Sequence, residues 1–284
     1  MTAKEEIKRR LKKADFMSIS KTLYDKSFDD LDSSEYQDML KIADVYGQKY
    51  KKFYKLKDDI DIRTFTSNLT PEEYNPSFSN HTDLNVINTV KSDESFTIYT
   101  EFYTSELVDI PVEIDGIQYK KKEAKIFRRT MILEKSSNND YLVISIDLTG
   151  DGADVYKKID ENLSVLQSTL GLDIHSFFDT IEVEKVIYSL IDDNELVPTR
   201  LTAKDQSSNI VKSAQAKALR GTLKDDDFYS SCTNEQYSLE NLKMKYDKES
   251  VEIFGKTLLK ITTKMGKNNT DELTTKTISI LQRQ

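Results

Sequence analysis

A change of hydrophobic period along the chain constrains its fold more than any other feature. Apolar residues recur at three- and four-residue steps over the first 57 residues and again from 154 to 220. They alternate from 95 to 148 and from 236 to the end. The first spacing lines one face of a helix and the second one face of a strand. Blocks of one kind followed by blocks of the other, without regular strand–helix alternation, predict the α+β class. Four segments follow. Residues 1–60 read as N-terminal helices and 61–150 as an antiparallel β-rich region. Residues 151–235 read as a helical, winged-helix-like region and 236–284 as an antiparallel β-meander. Two lobes are expected rather than one core.

In the first segment, Ser33 or Ser34 is suited to cap a helix. Tyr36, Met39, Leu40, Ala43, Tyr46, Tyr50, Phe53 and Tyr54 then predict one face of a long helix. Residues 66–93 hold two of the four prolines and many Asn and Ser, and read as a long loop or boundary. SFTIYTEFYT and LVDIPVEI are strand-like, and Asp115-Gly116 suits a two-residue hairpin turn, because both positions tolerate positive φ. The stretch after it is long enough for one bent strand or two. YLVISIDL is almost wholly apolar and belongs in the middle of a sheet.

Val155, Ile159, Leu163, Leu166 and Leu170 form a helical stripe that Gly171 ends. A short helix near Ile174–Phe178, a helix over 182–193 and the strand-like ELVPTRLTAK complete the order of a winged helix-turn-helix. Residues 209–220 read as one more helix. In the last segment Leu242, Met244 and Tyr246 alternate, as do Val251, Ile253, Thr257, Leu259 and Ile261. Ile278 and Ile280 mark a final strand.

The 284 residues carry 41 Lys and Arg against 49 Asp and Glu, a net charge of −8. Three windows run against that sign. The first, 41–57, includes Lys51, Lys52 and Lys55; the second, 119–135, includes Lys120, Lys121, Lys122, Arg128 and Arg129. The third, 200–224, includes Arg200, Lys204, Lys212, Lys217 and Arg220. If folding gathers them, they form a phosphate-binding face; if it scatters them, they are ordinary solvated surface. A single Cys excludes an internal disulfide, and the N-terminus lacks an apolar leader, so a cytoplasmic location is expected and no membrane insertion. Without a secretory signal the sequons at Asn68, Asn80, Asn162 and Asn268 carry no weight.

Chemical motifs are sparse. The DLTGDGAD loop at 147–154 matches the first half of a calcium loop, but its twelfth position is Lys158 instead of a bidentate Glu, which rules out an EF-hand. Asp147 and Asp151 remain candidate ligands for Mg²⁺, bridging a phosphate held by the backbone at a helix start. The structural alternative is a strand-to-helix turn capped by Asp154. Asp115, Glu123 and Lys125 give the D…E-x-K order of a metal-dependent nuclease, or else a charged solvent-facing strand. The helix expected to enter a DNA groove bears Glu182, Glu184, Asp192 and Asp193, so a wing or a later helix would have to make the contact. His81, His175 and Cys232 sit in no catalytic signature, and no Walker, dinucleotide, kinase or zinc motif is present.

These residues lead to a first expectation of a non-enzymatic nucleic-acid-binding accessory protein, with DNA ahead of RNA and no cofactor. The alternative is a protein-interaction subunit, antitoxin-like or phage-defence-associated. A Mg²⁺-dependent nuclease comes third. The first depends on the three basic windows meeting on one face.

Overall fold

The strand Lys49–Leu56 (β1) lies at the middle of the fold, where the sequence predicts the end of a long helix. The helix that precedes it, Ser33–Val45 (α3), is capped by Asp32 and not by a serine. The Asp32 carboxylate accepts from the N–H of Ser34 and Glu35, and Glu35 reaches back to the Asp32 N–H. Tyr50 and Tyr54 are four residues apart, a spacing common to one helix face and one strand face. In β1 they point to one side of a sheet and Phe53 points to the other, all three buried.

The computed structural model describes residues 2–46, 49–78, 84–114, 117–148, 152–208, 210–216, 221–224, 226–233, 237–261 and 267–283. Before α3 come Ala3–Arg10 (α1) and Lys13–Tyr24 (α2); after β1 comes Ile62–Ser67 (α4). Strands Asn85–Lys91 (β2), Phe96–Ile114 (β3), Ile117–Lys135 (β4) and Tyr141–Ile146 (β5) follow. Then come Gly152–Leu170 (α5), Ile174–Phe177 (α6), Phe178–Thr180 (β6), Glu184–Asp192 (α7), Val197–Asp205 (β7) and Val211–Gln215 (β8). The chain closes with Asp227–Thr233 (α8), Tyr237–Tyr246 (β9), Glu249–Phe254 (β10), Leu258–Ile261 (β11) and Lys267–Leu281 (α9).

The strands join into one 11-stranded sheet in the order β2-β3-β4-β5-β1-β11-β10-β9-β7-β8, with β6 pairing off this path to β1. Every pairing is antiparallel. The α+β class holds, and each of the four sequence segments contributes strands to this sheet. The expected meander is β9-β10-β11. The run from Val251 to Ile261 is two strands, and the expected last strand is instead α9. There Leu273, Thr277 and Leu281 are buried at four-residue steps, while Ile278 and Ile280 are only partly covered.

Alternate residues of the sheet feed two cores. On one face Leu142, Ile144, Ile146, Ile98 and Met131 meet α4 and the stripe Val155, Ile159, Leu163 and Leu166 of α5. On the other, Tyr141, Val143, Leu242, Val251 and Ile261 meet α7 through Val186, Ile187, Leu190 and Ile191, and α9 through Leu273. The winged-helix expectation is therefore not met. The helix–helix–strand order is present, but α5 and α7 lie on opposite faces of the sheet, so no three-helix core forms. Residues 211–215, expected helical, are strand β8, which pairs with β7. A third cluster, with Ile7, Phe16, Phe28, Met39 and Leu40, unites α1, α2 and α3.

Gly152 opens α5 at the end of the DLTGDGAD segment. A Cβ there would lie 2.8 Å from Cβ of Phe254, at the end of β10, so close approach explains this glycine without a ligand. Gly152→Ala is expected to lower the unfolding free energy by about 1–3 kcal/mol, the cost of overpacking. Chemical denaturation would measure it, and combination with Phe254→Gly, which removes the clashing Cβ, should cost less than the sum of the two single changes.

Candidate docking surface

Strands β3 and β4 pair without a register break from Phe96↔Lys135 to Ile114↔Ile117. Only their proximal parts lie within the sheet: β2 covers β3 from Phe96 to Glu101, and β5 covers β4 from Met131 to Lys135. Just beyond, Thr130 still accepts the Asp147 N–H at 2.8 Å, and Phe102, Tyr103, Arg128 and Arg129 are buried. From Ser105 outward the two strands pair with each other alone, as a two-stranded arm of about 30 Å at roughly 3.3 Å per residue. The connecting residues, Asp115 and Gly116, lie outside the described residues.

The arm's two faces follow from register. One carries Val108, Ile110 and Val112 of β3 with Ile117, Tyr119, Lys121, Glu123 and Lys125 of β4. The other carries Leu107, Asp109, Pro111 and Glu113 with Gln118, Lys120, Lys122, Ala124 and Ile126. Leu107, on one face, is 70% exposed; Ile117 and Tyr119, on the other, are 56% and 49% exposed. Charge is divided by strand. Glu106, Asp109 and Glu113 lie on β3, whereas Lys120, Lys121, Lys122 and Lys125 lie on β4 with Glu123. Lys122 stands opposite Asp109 and Lys125 opposite Glu106.

The arm is rooted in a buried charge cluster beneath α1 and α3. Arg128 grips Asp44 of α3 through two bonds of 2.9 and 3.0 Å and donates to Glu101 at 2.7 Å. Tyr74 adds a 2.7 Å hydroxyl donation to Asp44. Asp147, just past β5, accepts from Arg9 at 3.1 Å and Arg129 at 3.4 Å, with Arg10 at 3.0 Å. Glu6 of α1 holds Arg9 at 2.8 Å and Arg10 at 3.1 Å, and Arg129 also pairs with Glu106 at the arm's base. Burial raises the cost of ionising Asp44, but Arg128 and Arg10 outweigh it and its pKa falls below the usual carboxylate value. Burial likewise opposes the charge on Asp147, and Arg10, Lys49, Arg9 and Arg129 overcome it. Lys49 donates to Thr130 at 3.0 Å; burial lowers its pKa to about 7 against the pull of Asp147.

The basic windows do not gather on one face. Of the first, Lys51 and Lys52 are buried on opposite sides of β1, and Lys55 pairs with Asp58 at 3.4 Å. In the second, Lys120, Lys121 and Lys122 are exposed on the arm, but Arg128 and Arg129 are interior, held by carboxylates. Arg200, Lys204 and Lys212 belong to β7 and β8, at the far end of the sheet from β3 and β4. Lys217 and Arg220 lie outside the described residues. Asp147 is held by three arginines and not turned to solvent, while Asp151 and His81 fall outside the described residues. Among those described, no three His, Cys, Asp or Glu groups gather at metal-binding spacing. Cys232 is buried and its thiol is pushed up to about 11 by that burial, so it is not a reactive thiolate. No helix among the described residues is long and apolar enough to cross a membrane.

Asp44, Glu6, Arg9 and Arg10 are not flagged by any window or motif. Their only local signal is the Glu6–Arg9–Arg10 spacing on α1, which an exposed helix would share. Asp44→Asn removes one of the two carboxylates that hold buried Arg128, with Glu101 remaining, and is expected to cost up to about 3 kcal/mol at pH 7, less than for a buried charge left wholly unpaired. Asp44 and Asp147 titrate lower in the fold than in the unfolded chain. Their stabilisation is therefore complete above about pH 4 and is lost as pH falls through their folded values. Denaturant titrations at several pH values should show wild-type stability dropping below about pH 4, and a shallower drop for Asp44→Asn.

The chain matches no protein-family model and no curated protein.

Proposed function

We propose that this chain is a non-catalytic interaction protein that docks a protein partner along the β3–β4 arm. The observation that carries the reading is the arm itself: a rigidly rooted, two-stranded extension with apolar side chains in solvent and charges of both signs. A free two-stranded ribbon is marginal in water, and a partner laid on it would bury Val108, Ile110, Val112 and Tyr119 and complete open backbone edges. Half-buried Val108, Ile110 and Val112 beside exposed Ile117 and Tyr119 on one face, rimmed by charge, are a surface of the kind protein interfaces use. A cytoplasmic setting is part of the proposal and rests on a lone, buried cysteine.

The competing reading is a nucleic-acid ribbon. A two-stranded ribbon fits a DNA major groove, and Lys120, Lys121 and Lys122 are consecutive and exposed. The carboxylates interleaved with them on both faces favour a protein over a polyanion.

Placing a photo-crosslinking amino acid at position 119 in cells that make the protein tests the choice. The expected result is one dominant protein adduct. The complex should re-form from purified components, and Ile110→Asp should weaken it at least tenfold with unchanged thermal unfolding. Salt-dependent binding of duplex DNA or RNA, lost when Lys120, Lys121 and Lys122 are changed to Glu, would replace this reading with the nucleic-acid one. A concentration-dependent dimer broken by Ile110→Asp would make the partner a second copy.

A further inference from the structure

A cavity of about 550 Å³ lies on the sheet face shared by the N-terminal helices and α9, in the gap between the end of α3 and α9. Its volume falls in the range of small-molecule sites, roughly 300 to 1,000 Å³. Its lining is graded with depth. Lys51, Ser145, Ile132, Val143 and Tyr141 are buried within it, whereas Glu134 of β4 and Asp271 of α9 are exposed.

Lys51 is the unusual member. The residue is only 8% exposed, and its ammonium donates to Ser145 Oγ at 3.3 Å. Among the described residues no carboxylate comes within 4 Å of it, and no other acceptor comes within hydrogen-bond reach. Arg10, Arg128 and Arg129 are as buried and each touches a carboxylate, whereas Lys49 and Lys135, buried on Thr130 Oγ1 and the Glu94 carbonyl, do not line this cavity. A buried ammonium with unspent donors costs free energy until an acceptor reaches it. Burial lowers its pKa, and the more distant Glu134 and Asp271 only partly offset that.

We infer that this cavity binds a small monocarboxylate that also carries a hydroxyl or ammonium group. The carboxylate would take the free N–H groups of Lys51 and supply its missing counter-ion. The short body would lie against Ile132, Val143 and Tyr141. The second polar group would face outward, where Glu134 and Asp271 accept hydrogen bonds and the hydroxyls of Thr274 and Ser279 serve as either partner. The two mouth carboxylates repel dianions, so phosphate esters and dicarboxylates are disfavoured. This site is independent of the arm and stands or falls without it.

Calorimetric titration of the full chain with L-serine and L-lactate, beside L-serinamide and L-lactamide as uncharged-end controls, tests the assignment. At least one acid should bind saturably in the millimolar range or tighter, and its amide at least tenfold more weakly. Lys51→Met should abolish binding while circular dichroism and thermal unfolding show an intact fold. Because the acid–amide contrast is read on the wild-type protein, it does not depend on that variant folding. Asp271→Asn, at the mouth, should admit succinate, which the wild type refuses. Failure of both acids to bind at 20-fold above the millimolar range, roughly 20 mM, equal binding of acid and amide, or full binding by Lys51→Met would each overturn it.

Discussion

The buried ion cluster between α1, α3 and the root of the arm is the interaction on which the rest of the architecture depends. It brings Arg9, Arg10, Arg128 and Arg129 together with Glu6, Asp44, Glu101 and Asp147. Dehydrating each of these ions costs several kcal/mol, and mutual attraction recovers that only where geometry is good and remaining lone pairs are satisfied. Here every carboxylate meets at least one guanidinium, and Arg128 is bidentate on Asp44. Well-packed apolar groups could supply similar stability. What charges add is intolerance of misdocking, since a slip of one helical turn by α1 or one residue by β4 would leave buried ions unpaired.

That intolerance bears directly on the arm. Glu101, Arg128 and Arg129 sit where β3 and β4 leave the cover of β2 and β5, and Glu106 ties the first exposed turn of pleat back to Arg129. The two strands are therefore clamped to α3 at their base. The direction of the arm is set by the body and not by a hinge. A preset direction would reduce the ordering cost of the docking proposed for it. Its lysines and Pro111 have a second effect, discouraging indiscriminate strand addition at the open edges.

How far this could be read from sequence varied with the element, for physical reasons. The hairpin around Asp115-Gly116 and the central apolar strand β5 were readable because turn chemistry and an unbroken apolar run are local signals. The first helices were readable to Val45, but Tyr46, Tyr50 and Tyr54 are spaced by four, which helix and strand both satisfy. The lysines at 49, 51 and 52 fit the outer face of that expected helix. Only long-range pairing with β5 and β11 shows that the strand is central. Ile278 and Ile280 misled in the opposite direction: two isoleucines in alternation outweighed the four-residue stripe Leu273–Thr277–Leu281, because a buried threonine does not register as apolar. The helical order of a winged helix was present, yet whether α5 and α7 share a core depends on which sheet face each covers, and periodicity does not encode that.

The fate of the basic windows follows from the same limit. Charge counts treat every lysine as a surface group. Among the described residues, seven cations are buried, Arg10, Lys49, Lys51, Lys52, Arg128, Arg129 and Lys135, against five carboxylates, Glu6, Asp44, Glu101, Asp147 and Glu252. Folding thus removes more positive than negative charge from the surface, and the exterior is more acidic than the net −8 of the chain implies. On the arm a nucleic-acid partner would meet four lysines, Lys120, Lys121, Lys122 and Lys125, matched by Glu106, Asp109, Glu113 and Glu123. At physiological ionic strength the field decays over about 8 Å, so the arm, projecting well beyond that distance, is screened from the body but not from its own carboxylates. Its local balance of charge, together with its exposed apolar residues, suits a surface of mixed sign and partial hydrophobicity, which is the ordinary chemistry of another folded protein.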